Sequence, residues 1–218
     1  MKKVFVPLLI VAAAMFAYAP IMIANAPYES TMLLIQKVMY FHAPSGMVML
    51  ISGLISGLAS AVFLFRKSRA ADHVALAAAE LTAVYGIIVL LSGPLWARKA
   101  WGVWWVWDAR LTMAFVGWLI ALAYLVVRKY GGPGSEKLAS GLALFGAANV
   151  PFIYLSVNIW RTIHPQTTVA PTLPAGMREP FWFCVAAFFL LYSLLMSARV
   201  RLEHQRAALD DLYLAAED

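Results

Sequence analysis

The sequence predicts an all-α integral membrane protein, six transmembrane helices with a tryptophan-rich loop on the outer face, and three observations predict it. Of 218 residues, 63% are hydrophobic and 13% charged, about half the charged share of an ordinary soluble domain. Apolar runs of the roughly 20 residues that a bilayer crossing takes fall at about 4–24, 45–65, 74–95, 110–127, 138–158 and 181–198. Lys and Arg are unequally divided between the loops: Lys2, Lys3, Arg66, Lys67, Arg69, Arg128, Lys129, Lys137, Arg199, Arg201 and Arg206 on one face, Lys37, Arg98, Lys99, Arg110, Arg161 and Arg178 on the other. By the positive-inside rule the richer face is cytoplasmic and holds both termini. Residues 1–218 then form a single six-helix membrane domain, with no room for a separate soluble one. The net charge of +6 follows from this topology and carries no nucleic-acid signal.

Lys2, Lys3, an apolar core and the triplet Ala24-Asn25-Ala26 also fit a secretory signal peptide. Because the chain starts at Met1, an uncleaved first helix is expected. Ahead of the second run, Pro44 disfavours helix at Ala43 and Ser45 is a cap candidate, which puts His42 at a turn on the membrane surface. Gly53 and Gly57 suit close helix packing. In the third run, opened by His73, Glu80 is an intramembrane carboxylate without an evident cationic partner, so a protonated or hydrogen-bonded residue is expected. Asp108 precedes the fourth run, and Asn149 and Pro151 lie in the fifth. The sixth holds Cys184, the one cysteine, which excludes a disulfide framework and a Cys-x-x-Cys redox pair. The tail from Arg199 reads as a short amphipathic helix at the cytoplasmic surface, with Glu203, His204, Asp210 and Asp211 on its solvated side. No nucleotide-binding loop is present, so any ATP dependence lies with a partner.

The outer loops, at about 25–44, 96–109 and 159–180, carry the unusual residues. Trp96, Trp101, Trp104, Trp105 and Trp107 lie in the second and Trp160 in the third; Trp118 and Trp182 sit in predicted spans. An aromatic belt explains one or two rings per helix end, not five at one end of one helix pair. If 101–108 is helical, Trp101, Trp104, Trp105 and Asp108 share one face and Trp107 points away. Asp108 can also cap the fourth span. An exposed indole face suits a large, flat, apolar ligand, and of the common cofactors haem fits best. Its propionates would want cations, and Arg98, Lys99, Arg110, Arg161 and Arg178 share that side. Asp108, an anion itself, is expected to orient an indole N–H or pair with an Arg. Of four histidines, His73 and His204 fall on the inner side, while His42 and His164 flank the tryptophan loop. One from each loop could hold haem iron from both faces. Solvated or structural side chains are the alternative, since neither has a second ligand at metal-binding spacing.

The stretch "WGVWWVWDARLT" resembles the WWD signature of haem-handling proteins in cytochrome c biogenesis, and its Asp-Ala-Arg-Leu-Thr ending is the form of the haem exporter protein C (CcmC) branch. The likeness extends to Tyr-x-His-x-Pro at His42, Asn-x-Pro at Asn149 to Pro151, the run ending at His164, and Met-Arg-x-Pro before the sixth span. Ile159, Pro165 and Met113 depart from the usual pattern, which often has Trp, Gln and Ser there. The resemblance implies that His42 and His164 are axial ligands of a non-covalent b-type haem, and that Trp104, Trp105, Trp107 and Asp108 belong to the platform holding it. It also implies a place in the bacterial inner membrane, where the protein would present haem to a membrane-anchored haem chaperone, alongside ABC transporter subunits and a very small membrane subunit. The expectation is a haem carrier and assembly factor more than a conventional enzyme, with Trp101, Arg98, Arg110 and Arg178 added to the site from position and charge. A permease subunit would need polar residues recurring along the spans, which are scarce; a structural scaffold would use the tryptophan loop as a docking surface.

Overall fold

The structure, a computed structural model, describes residues 2–166 and 170–217. Met1, the stretch 167–169 of the third loop and Asp218 lie outside them, as do the side chains of Lys2, Lys3 and Glu217. Six helices are long and apolar enough to cross a membrane: α1 (Lys2–Asn25), α2 (Met39–Arg66), α3 (Arg69–Trp101), α4 (Ala109–Tyr130), α5 (Ser135–Ile159) and α6 (Ala175–Glu217). The chain is thus an all-helical, multi-pass membrane protein. Among the described residues the sole β-type pairing is an isolated bridge between Glu29 and Leu33. α2 packs on α3 and α5, α4 on α5 and α3, and α1 on α6.

Lipid supplies no hydrophobic force between helices, so small residues and interhelical hydrogen bonds hold them. The Ser52 and Ser56 hydroxyls of α2 donate to the Ala78 and Ala75 carbonyls of α3, at 2.8 and 3.0 Å. Gly57 allows α5 against the α2 backbone: a Cβ there would lie 2.3 Å from that of Ala147. The Trp118 indole N–H of α4 donates to Ala83 O at 3.0 Å, and the Asn149 amide of α5 donates to Met113 O at 2.9 Å.

α2 begins at Met39, so His42 sits inside a helix and not at a surface turn. A 3₁₀ turn, Leu34–Val38, runs straight into α2 and builds the helix entry before Pro44 is reached. Ser45 therefore caps nothing; its hydroxyl donates to Phe41 O at 2.7 Å, the usual service of a Ser beside an intramembrane proline. Glu80 does have a partner, the Arg199 guanidinium, which also reaches Glu203 at 2.7 Å. The reason is that the tail is a continuation of α6. Its 43 residues span about 64 Å, twice the roughly 30 Å of hydrocarbon. Three polar rungs join this extension to α3: Arg69 to Asp211 at 3.1 Å, His73 to His204 at 3.1 Å, and Glu80 to Arg199.

Arg128 of α4 makes two bonds to Asp72 of α3, at 2.9 and 2.7 Å, with side chains only 14% and 11% exposed. Removing one partner of a buried pair costs about 3–5 kcal/mol because the other charge is left uncompensated. Asp72→Ala should therefore lower the unfolding midpoint in detergent sharply, and adding Arg128→Met should recover most of the loss. Equal midpoints for the single and double variants would refute this account.

Candidate functional site

The three loops at the end opposite the chain termini close over a cavity of about 710 Å³ between α2, α3, the start of α4, the end of α5 and the start of α6. That is within the roughly 300–1,000 Å³ of small-molecule sites. Its wall is mostly apolar, with Met32, Met39, Trp96, Trp101 and Phe181 among the residues, and His42, His164, Arg110 and Gln36 supply polar groups.

His42 is held against α3. Its Nδ1 lies 2.9 Å from Ser92 Oγ, whose own proton goes to Ile88 O at 2.6 Å. The serine oxygen must accept, so His42 carries its proton on Nδ1 and keeps a lone pair on Nε2. Gly93 makes room for the ring, since a Cβ there would lie 3.2 Å from His42 Cε1. In the loop after α5, His164 Nδ1 lies 2.7 Å from Pro165 O, a carbonyl that can only accept, so the same tautomer results. Burial first, then the Arg110 guanidinium, push His164 from 6.5 down to about 4. It is neutral at neutral pH. The two ring centres are 6.3 Å apart, and two imidazoles bonded at roughly 2.0–2.1 Å to one metal ion from opposite sides stand about 6 Å apart. Among the described residues no group of three His, Cys, Asp or Glu gathers as a metal site. What the cavity holds is two imidazoles, which could serve a metal that brings further donors of its own.

The tryptophan stretch departs from the expected helix. Gly102 takes φ +78°, a left-handed cap that ends α3, and α4 starts only at Ala109, so 103–107 is not helical. Consequently the four residues do not share a helical face. Trp96 belongs to α3, packs edge-on to His42 at 5.7 Å and donates to Met32 Sδ at 3.3 Å. Trp101 lies 6.1 Å from Trp96 and lines the cavity, as does Trp105, whose buried indole N–H has no partner. Trp104 and Trp107 do not line it.

Asp108 neither orients an indole nor pairs with an Arg. One carboxylate oxygen accepts from Leu111 N at 2.8 Å and caps α4; the other accepts from the Thr162 hydroxyl and from Ile163 N at 3.2 Å. Thr162 Oγ1 in turn accepts from His164 N at 3.0 Å. Asp108 thus positions the histidine loop without reaching the cavity. Of the cations, only Arg110 lines the cavity among those expected at the site; it donates to Ile153 O. Arg98 points to Gly102 O and over the Trp104 ring, and Arg178 is exposed away from the lining. On the rim, the Thr31 hydroxyl and Met32 N–H hold the Glu29 carboxyl down at about 2. Sequence reading missed Ser92, Gly93 and Thr162; a Ser-Gly-Pro triplet inside an apolar run was the available signal for the first two.

A family model described as Heme exporter protein C matches residues 1–213. The chain is 32% identical over 184 residues to Heme exporter protein C of Bradyrhizobium diazoefficiens, covering 82% of this chain and 70% of that one. To the protein of the same name in Escherichia coli it is 32% identical over 172 residues, 76% of this chain and 69% of the relative. To a putative cytochrome c biosynthesis ccmC-like mitochondrial protein of Marchantia polymorpha it is 29% identical over 158 residues, 71% and 68% of the two chains. Since the match runs through almost the whole length of the chain, spans and loops alike, this protein belongs to the heme exporter protein C family.

Proposed function

We propose that this protein holds haem in the cavity, between Nε2 of His42 and Nε2 of His164, and passes it to a haem chaperone during cytochrome c maturation. The observation that carries the reading is the pair of imidazoles, each with its Nδ1 held by a neighbour, their ring centres 6.3 Å apart in an apolar cavity. Second partners of this kind fix a ligand's tautomer and orientation. Trp96, Trp101 and Trp105 supply stacking area, and the free Trp105 N–H and the Arg110 guanidinium are the donors available to propionates. The non-covalent b-type haem itself supplies the vinyl through which a chaperone can be joined to it. This chain's own residues bind, orient and exclude water, the work of a carrier and not of a conventional enzyme.

The excess of Lys and Arg in the loops at the other end supports a cytoplasmic location for both termini and an outer location for the cavity, in the bacterial inner membrane. The family relationship supports ABC transporter subunits, a very small membrane subunit and a membrane-anchored chaperone as partners.

Purified in detergent, the wild type should bind one haem per chain with a six-coordinate low-spin spectrum, whereas His42→Ala and His164→Ala should each lose that spectrum and most of the haem. Identical spectra from all three would disprove the ligand assignment. Because His164 is pushed down to about 4, its Nε2 stays unprotonated in mild acid, and haem should remain bound at about pH 5.5. The unfolded chain takes the proton first, so the haem-free protein should lose stability as pH falls from 6.5 towards about 4. Haem release with a midpoint near 6.5 would show an exposed ligand. Asp108→Ala removes a cap worth about 1 kcal/mol and frees Thr162, so haem should bind roughly tenfold more weakly with a heterogeneous axial spectrum. An unaltered spectrum and affinity would mean that Asp108 is only a cap.

A further inference from the structure

Trp104 and Trp107 stand in the same seven-residue stretch as Trp101 and Trp105 yet lie outside the cavity those two line. Trp107 is 75% exposed, and its ring meets the rings of Trp105 at 5.7 Å and Phe115 at 6.2 Å. Trp104 is 57% exposed, with the Arg98 guanidinium 5.9 Å from its ring centre. The non-helical backbone between Gly102 and Asp108 permits this split, since adjacent residues are not bound to a common helical face. Trp107 immediately precedes the Asp108 cap of α4, and Phe115 lies two turns inside that span. At the same end of the bundle Trp160 closes α5, and Tyr18 of α1 and Trp182 of α6 are also exposed. Around membrane-spanning helices this is the level of the lipid interface, where an indole buries its ring among acyl chains and leaves its N–H to headgroups and water.

We propose that Trp104 and Trp107 bind the lipid interface and not haem. This rests on the reading of the cavity as the haem site. Exposure on a membrane-spanning chain and continuity with the first turn of α4 favour lipid over a soluble partner.

The test uses the whole chain in phosphatidylcholine nanodiscs, with acyl chains plain or brominated near the ester end. Wild type, Trp104→Phe, Trp107→Phe and Trp105→Phe are compared for fluorescence quenching by bromine and for haem per chain. The chain has eight tryptophans. Trp104→Phe and Trp107→Phe should each remove more than an eighth of the bromine-quenched emission and keep haem at the wild-type level. Trp105→Phe should leave the bromine-quenched emission intact and lower haem several-fold. Unchanged bromine quenching in Trp107→Phe, or haem loss there equal to that in Trp105→Phe, overturns the proposal. If the wild type takes up no haem, the cavity reading falls, while the bromine comparison still decides whether Trp107 lies in lipid.

Discussion

The carboxylate of Asp108 joins the loop before α4 to the loop after α5. One oxygen closes the first turn of α4, and the other accepts from Thr162 and Ile163. That second set of bonds ties the start of the loop after α5, and through Thr162 the backbone of His164, to the first turn of α4. The chain of contacts is short: Asp108 to Thr162, Thr162 to His164 N, and His164 Nδ1 to Pro165 O. Every link is a hydrogen bond with a single geometry, so the imidazole is set before any ligand arrives. Preorganisation of that kind reduces the ordering cost that binding must meet.

His42 is fixed by a different device, suited to its depth. Inside a bilayer each polar group needs an internal partner, and Ser92 provides one while sending its own proton to Ile88. The neighbouring Gly93 completes the arrangement by admitting the ring, and α3 runs on through Pro94. The two histidines therefore reach the same tautomer through unrelated partners, one a helix side chain and one a loop carbonyl.

Six spans, the class of fold and the convergence of three loops were legible in the sequence, because a bilayer permits few alternatives and length with hydropathy decides among them. What escaped was set by tertiary contact. Pro44 argued for a turn at His42, but the 3₁₀ turn before it had already started the helix. Helical spacing gathered Trp101, Trp104, Trp105 and Asp108, but Gly102 in the left-handed region broke the period after its first member. Glu80 lacked a partner only while α6 was ended at the membrane surface; the partner, Arg199, lies on the same unbroken helix. Of the expected cations, charge and side of membrane alone could not separate Arg110, which lines the cavity, from Arg98 and Arg178, which do not.

The density of tryptophan between Trp101 and Trp107 has its explanation in two environments served by one short strap. A helix there would offer one continuous indole face and commit every ring to the same side. Interrupted at Gly102 and restarted at Asp108, the strap sends Trp101 and Trp105 inward and Trp104 and Trp107 outward. The same residue suits both sides for the same reason, a large apolar ring carrying one N–H. Inward, the ring lies along the cavity and the Trp105 N–H is left for a ligand. Outward, the ring can lie in acyl chains while its N–H meets headgroups. Held at its end by Asp108, the strap keeps an apolar wall at the mouth of the cavity without covering helices to support it.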